Sequence, residues 1–179
     1  MSGRLIAVVG PSGVGKDSLI DALAARRPAL HKVRRVITRP PEAGGEDHEP
    51  ETEAGFAARR AAGAFCLSWG AHGLFYGIPA AVQARVAAGG DAIVNLSRGV
   101  LEEAGRAFDR LVVLNVTATP ETLARRLAGR GREDEAGIAR RLARRVDLPG
   151  HLDVRDIPND GALADAVEMA LAKLYPVRA

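Results

Sequence analysis

The feature that most constrains the fold is a glycine-rich turn between an apolar run and a helical pattern. Residues 4–9 read RLIAVV, which predicts a buried parallel strand. Residues 10–16 follow as GPSGVGK, with GxxxxGK spacing, and apolar residues at helical spacing continue to residue 27, just before Pro28. A strand, a glycine turn and a helix in this order predict a phosphate-binding loop rather than an ordinary glycine turn.

In such a loop, backbone N–H groups surround phosphate oxygens and the following helix directs its positive end towards them. The lysine reaches the β and γ phosphates, so we expect ATP here and a catalytic role for Lys16. The residues expected to contact the nucleotide are Gly10, Pro11, Ser12, Gly13, Val14, Gly15, Lys16, Asp17 and Ser18.

Asp17 departs from the usual pattern, which places Ser or Thr after the lysine to bind Mg²⁺. A carboxylate beside a triphosphate is repelled unless a cation lies between them. We therefore predict that Asp17 approaches Mg²⁺, directly or through water. The alternative is that Asp17 simply favours a helix N-terminus.

Composition points to one ordinary globular domain. The chain has 179 residues, of which 47% are hydrophobic and 26% are charged. No apolar run approaches the roughly 20 residues that span a bilayer, and the first residues do not resemble a signal peptide. We expect a cytoplasmic protein without a membrane partner. Cys66, the single cysteine, is expected to be an inert strand residue rather than a reactive thiol.

The basic residues need a separate argument because only three of the 25 are lysines, which leaves 22 arginines. In an alanine-rich chain this bias is typical of genome base composition, so a single arginine is weak evidence for an anion site. A net charge of +3 is also too small to predict a nucleic-acid partner. The sequence carries no signal of oligomeric state.

Strand and helix patterns alternate along the chain, which predicts an α/β fold of the P-loop NTPase type, three-layer α/β/α with a central parallel sheet. The predicted strands after the first are 32–38, 64–69, 74–78, 91–96, 111–116 and 153–157. The predicted helices are 16–27, 54–62, 80–88, 100–108, 120–130, 136–146 and 163–174. Residues 40–55, acidic and rich in glycine and proline, are predicted to be loop.

We predict one domain over 1–179, divided into three parts. The core comprises 1–38, 80–120 and 147–179, and about 39–79 form a small substrate-binding insertion. Residues of about 121–146 form a lid, in which Arg126 and Arg130 share a helix face and Arg141 lies on the next helix. Phosphoryl transfer requires this kind of charge stabilisation. Spacing alone equally allows a solvated helix pair in an arginine-rich protein.

Five blocks occur in the order seen in guanylate-kinase-like enzymes: GPSGVGKDSL, ITRPPEAGGEDH, FCLSWGAHGLFYGIP, RLAGRGREDEAGIARRL and NDGAL. The resemblance covers nearly the whole chain and implies a guanylate-kinase-like kinase. It implies that Arg39 and Tyr76 bind the acceptor phosphate and that Asn159 lies near the adenine of ATP. It also implies catalytic roles around the transferred phosphoryl group for Arg126, Arg130 and Arg141.

The departures from guanylate kinases fall in the acceptor site. Glu42 stands where those enzymes have a second phosphate-binding arginine, and Ser68 stands where a glutamate accepts hydrogen bonds from guanine. Asn95 and Ser97 replace acidic residues. A site that lacks an acceptor for a buried donor loses selectivity by orders of magnitude, so guanine recognition is expected to be lost.

This combination closely resembles the ribose 1,5-bisphosphate phosphokinases of phosphonate breakdown, which use ATP to form 5-phospho-α-D-ribose 1-diphosphate. The resemblance makes Asn95, Ser97 and Arg98 candidates for the ribose hydroxyls and the second phosphate. A capped helix start is the alternative reading of these three residues. Trp69 and His72 receive no catalytic role.

Two other functions stay open at this point. One is a guanylate or other nucleoside monophosphate kinase. The other is a catalytically inactive guanylate-kinase-like interaction module, although such modules usually lose the phosphate loop or the lid arginines.

Overall fold

The computed structural model describes residues 2–43, 45–129 and 147–177. These residues form the strands β1 (Leu5–Val9), β2 (His31–Lys32), β3 (Val36–Ile37), β4 (Glu49–Pro50), β5 (Phe65–Ala71), β6 (Leu74–Pro79), β7 (Ala92–Asn95), β8 (Leu111–Thr117) and β9 (Asp153–Pro158). They also form the helices α1 (Lys16–Arg26), α2 (Glu53–Ala61), α3 (Ala80–Ala87), α4 (Leu101–Ala107), α5 (Pro120–Ala128) and α6 (Leu163–Leu174). Short 3₁₀ helices cover Pro41–Ala43 and Arg98–Val100.

The central sheet is parallel, with strand order β2-β7-β1-β8-β9. Every residue of β1 is buried, because alternate side chains point into apolar layers on opposite faces of the sheet. Ile6 packs in the layer that contains residues of α1 and α6, and Leu5 packs in the layer that contains residues of α3 and α4. The predicted α/β fold with a central parallel sheet is confirmed.

A second sheet lies between β2 and α3 in the chain, with strand order β4-β3-β6-β5. β3 pairs with β4 in parallel and with β6 in antiparallel fashion, and β5 and β6 form a hairpin. Its two-residue turn places both His72 (φ 53°) and Gly73 (φ 74°) in the left-handed region, as such turns require. The ring of Phe56, from α2, stacks on the rings of Phe65 and Phe75, which belong to β5 and β6.

The prediction of one strand over 32–38 is wrong. The chain leaves the central sheet after Lys32 and enters the second sheet at Val36, so this apolar run is divided between two sheets. Residues 40–55 are not loop throughout, because they include the 3₁₀ helix, β4 and the start of α2, which is capped by the Thr52 hydroxyl. The predicted helix 136–146 lies outside the described residues, and the division into core, insertion and lid stays a prediction.

Cys66 is partly buried in β5, and burial raises the pKa of its thiol. A thiol with a raised pKa carries little thiolate at neutral pH, which agrees with an inert strand residue. Within residues 2–43, 45–129 and 147–177, no helix has the length and apolar character needed to cross a membrane.

Candidate functional site

The candidate site lies at the edge of the central sheet where its parallel strands end. Residues 10–15 follow β1, Asn95 ends β7, and Asn159 follows β9. The carboxyl ends of parallel strands share one edge, which is where open α/β sheets bind ligands. Sequence-distant candidates are therefore brought to one place by the sheet order.

The phosphate loop has the backbone that its glycines predict. Gly13 (φ 81°) and Gly15 (φ 94°) adopt left-handed conformations, and a Cβ on Gly15 would lie 2.8 Å from Nδ2 of Asn159. Lys16 Nζ donates to the carbonyl oxygens of Gly10 (2.8 Å) and Pro11 (3.1 Å). The ammonium group is thus held over the loop that the sequence assigned to ATP phosphates.

The Val14 carbonyl oxygen joins the phosphate loop to two other candidate residues. It accepts from Asn159 Nδ2 (2.8 Å) and from Arg126 Nη1 (3.3 Å), while Arg126 Nη2 donates to the Asn159 carbonyl oxygen (2.7 Å). Arg126, on α5, therefore lies against the phosphate loop, and its role at the transferred phosphoryl group stays a prediction. Arg130 and Arg141 lie outside the described residues, so the structure does not position the rest of the predicted lid.

Asp17 meets the end of β7. Its Oδ1 accepts a hydrogen bond from Asn95 Nδ2 at 3.1 Å, and both Asp17 and Ser18 are exposed on the first turn of α1. A residue predicted to face ATP and one predicted to face the acceptor are therefore in direct contact.

Tyr76 and Arg39, two of the residues predicted to bind the acceptor, lie on or next to strands of the second sheet. Tyr76 pairs with Ile37 of β3, two residues before Arg39, and its ring stacks on Trp69 with centroids 5.3 Å apart and an interplanar angle of 9°. Ser68 precedes Trp69 on β5, whereas Glu42 is exposed in the first 3₁₀ helix. Trp69, which had no assigned role, supports the ring of Tyr76.

Arg39 is held by a histidine that sequence reasoning missed. His48 is 6% exposed, its Nε2 lies 3.1 Å from the Arg39 carbonyl oxygen, and its Nδ1 lies 3.4 Å from Arg39 Nη2. The same Nδ1 is 3.0 Å from the carbonyl oxygen of Glu46. His48 therefore contacts both the backbone and the side chain of Arg39, and it also contacts the backbone of Glu46.

Arg35 was also missed. It is 7% exposed, pairs with the Glu46 carboxylate, and holds its guanidinium carbon 4.9 Å from the ring centroid of Tyr76. Burial lowers the pKa of Arg35 to about 10, although Tyr76 and Asp17 act to raise it. The guanidinium group is therefore protonated at neutral pH. An arginine between two apolar stretches can indicate a buried, paired side chain. In a chain with so many arginines, this pattern does not stand out.

Ser97 and Arg98 follow β7 at the same edge of the sheet. Ser97 precedes the second 3₁₀ helix but makes no side-chain capping bond, so the structure does not support the capped-start alternative. Burial lowers the pKa of Arg98. In the described part of the chain, three buried side-chain atoms lack a hydrogen-bond partner: Arg39 Nε, Arg98 Nε and Asn159 Oδ1. Such groups usually have an explanation, and all three belong to candidate site residues.

Comparison with known proteins gives close relatives. No protein-family model matches the sequence. The chain is 53% identical over 179 residues to a ribose 1,5-bisphosphate phosphokinase PhnN from Ruegeria sp. (strain TM1040), covering 99% of this chain and 94% of the relative. It is 50% identical to the protein of the same name from Agrobacterium fabrum (strain C58), covering 90% and 91% of the two chains.

Solved structures give the fold. A guanylate kinase from Anaplasma phagocytophilum superimposes with a TM-score of 0.71 at 18% identity, over 99% of this chain and 88% of the other. At this identity, the likeness establishes the architecture and carries no information on the acceptor.

Proposed function

This chain belongs to the ribose 1,5-bisphosphate phosphokinase family, and from that premise we propose that it transfers the terminal phosphate of ATP to ribose 1,5-bisphosphate. The products are ADP and 5-phospho-α-D-ribose 1-diphosphate, within phosphonate breakdown. The observation that carries the proposal is the contact between Asp17, predicted for the donor side, and Asn95, predicted for the acceptor side. An acceptor bound at this contact would lie next to the phosphate loop, where the terminal phosphate of ATP is expected.

The reaction needs positioning and charge more than covalent chemistry. An oxygen of the acceptor's 1-phosphate attacks the γ-phosphorus of ATP, the bond to the β-phosphate bridging oxygen breaks, and that oxygen leaves with ADP. The attacking oxygen is already anionic, so no general base is required. Lys16 and Arg126 would stabilise the charge on the transferred group, and Arg130 and Arg141 are proposed to join them.

The remaining candidates bind the two substrates. Asn159 is proposed to contact the adenine, and the phosphate loop holds the phosphates of ATP. Arg39 and Tyr76 are proposed to hold the reacting phosphate of the acceptor. The ribose hydroxyls and second phosphate are assigned to the end of β7, through Asn95, Ser97 and Arg98.

The residues present fit a magnesium ion at Asp17. Mg²⁺ is usually held by one or two carboxylates together with substrate phosphates and waters, rather than by a cage of protein ligands. Residues 2–43, 45–129 and 147–177 contain no cluster of three acidic, histidine or cysteine ligands, and Asp17 supplies one exposed carboxylate beside the phosphate loop. A bound cation would neutralise phosphate charge there, which removes the repulsion that Asp17 otherwise imposes.

The substrate assignment is tested by ATP turnover against ribose 1,5-bisphosphate and GMP. We expect kcat/KM for the ribose bisphosphate to exceed that for GMP by about 10⁴-fold, because a site without the guanine acceptor leaves buried donors of guanine unpaired. ADP release gives the rate, and phosphorus NMR identifies the diphosphate product. Efficient turnover of GMP would establish a nucleoside monophosphate kinase instead, and no turnover of either would favour an interaction module.

Replacing Asp17 by asparagine tests the magnesium assignment. The amide keeps the oxygen that accepts from Asn95 but removes the charge, so we expect the Mg²⁺ concentration for half-maximal rate to rise about 10-fold. Asp21→Asn is the matched control, since Asp21 lies one turn later on α1 and pairs with Lys32. An unchanged Mg²⁺ dependence in Asp17→Asn would refute the role.

A further inference from the structure

Arg35 and Glu46 form an ion pair in the acceptor cleft that the proposed roles do not use. The side chains of Arg35 and Glu46 are 8% and 15% exposed, and the guanidinium also lies 5.9 Å from the Trp69 ring centroid. Burying two charges is costly, and replacing such a pair by apolar residues is often neutral or stabilising. Stability alone therefore does not account for a buried arginine beside Tyr76.

Glu46 is the more accessible partner. It lines a cavity of about 140 Å³ together with Asp17 and Asn95, the pair that joins the donor and acceptor sides. Glu46 lies between the first 3₁₀ helix and β4, outside β3 and β6, so a change in its side-chain rotamer does not require these strands to move. Arg35 would then present a fixed cation to whatever anion enters the cleft.

Two guanidinium groups flank the short strand β3, because Arg35 precedes the strand and Arg39 follows it. Both contact the segment of residues 46–48, Arg35 through the Glu46 carboxylate and Arg39 through His48. Glu46 is the carboxylate that contacts Arg35, and Arg39 keeps a buried Nε without a partner in the described ranges. Guanidinium groups bind phosphate through several charge-assisted hydrogen bonds, so the cleft suits a ligand with two phosphates better than a ligand with one.

We propose that Arg35 joins the end of β7 in binding the 5-phosphate of the acceptor, the phosphate that does not react, and that Glu46 holds Arg35 until this phosphate displaces it. The proposal rests on the proposed function for the identity of the acceptor. With Arg39 and Tyr76 on the reacting phosphate, Arg35 supplies the second cation at the other end of β3.

The test compares inhibitors that carry one phosphate each. Ribose 5-phosphate and ribose 1-phosphate are measured as competitive inhibitors of ribose 1,5-bisphosphate phosphorylation in wild type and in Arg35→Gln. We expect the inhibition constant of ribose 5-phosphate to rise about 30-fold, because the variant loses the charge-assisted hydrogen bonds to one phosphate group. The inhibition constant of ribose 1-phosphate should stay unchanged. KM for the bisphosphate should rise by a similar factor.

Arg34→Gln is the matched control. Arg34 is the neighbouring arginine and pairs with Asp47, the neighbour of Glu46, but both side chains are more than half exposed. It should leave both inhibition constants unchanged. Glu46→Gln removes the competing anion and should lower the inhibition constant of ribose 5-phosphate several-fold.

Equal weakening of both inhibitors in Arg35→Gln, or no weakening of either, would overturn the assignment. If this variant fails to fold because Glu46 is left unpaired, Arg35→Gln combined with Glu46→Gln removes both charges and carries the same test. Failure of the proposed function is separate, because it would appear in the wild type as absent turnover of ribose 1,5-bisphosphate.

Discussion

Replacing Lys16 with methionine is expected to lower kcat for ribose 1,5-bisphosphate phosphorylation by about 10³-fold, the upper end for loss of one preorganised charge-stabilising donor. Lys16 Nζ lies over the phosphate loop, within 2.8 Å of the Gly10 carbonyl oxygen. Methionine keeps the length and apolar stem of the side chain but removes the charge. Steady-state kinetics with saturating ATP measure the change, and near-ultraviolet circular dichroism reports on the fold.

Lys173→Met is the matched control for Lys16. Lys173 is exposed near the end of α6, where its Nζ donates to the Asp156 carbonyl oxygen. Loss of this exposed contact should leave kcat within about two-fold of wild type, as is usual for surface substitutions. A rate in Lys16→Met that stays within ten-fold of wild type would contradict the catalytic role.

Replacing Arg126 with glutamine is expected to have the second large effect, a fall in kcat of about 10³-fold, as for arginines that stabilise transferred phosphoryl groups. In the structure this guanidinium donates to two neutral carbonyl oxygens, those of Val14 and Asn159. A phosphoryl group with developing charge is a stronger acceptor than a carbonyl oxygen. The loss should therefore appear in kcat more than in the KM for ATP.

Arg125→Gln isolates this effect, because Arg125 is the preceding residue of α5 and is exposed. The two variants remove the same charge from the same helix, so a general electrostatic contribution would slow both alike. We expect Arg125→Gln to keep the wild-type rate. If Arg126→Gln instead raised only the KM for ATP, its contacts with Val14 and Asn159 would be structural.

The strands that the sequence predicted best are those buried on both faces. Residues 4–9, 91–96 and 111–116 are continuous apolar runs, which only a covered parallel sheet accommodates. Residues 32–38 were wrongly predicted as one strand because a buried Val33 next to an exposed Arg34 gives the alternation of buried and exposed side chains that is typical of a strand. Its division between two sheets depends on partners far away in the chain, which local pattern does not contain.

Candidate site residues could be predicted from the sequence where they belong to a motif or a regular spacing. Lys16 follows from the loop motif, and Arg126 follows from helical spacing together with the resemblance. Arg35 and His48 were missed because burial gives them their partners: one pairs with Glu46 and the other holds Arg39. In a chain with 22 arginines, an arginine is informative only once its surroundings are known.

The second sheet also bears on how such enzymes diverge. Arg35, Arg39, Ser68 and Tyr76 lie in one uninterrupted stretch between β2 and α3, whereas the phosphate loop and α5 lie elsewhere in the chain. Substitutions within that stretch can therefore alter the acceptor while the ATP-binding residues are inherited unchanged. The guanylate-kinase-like architecture itself is shared at 18% identity, so extensive change of sequence leaves this fold intact.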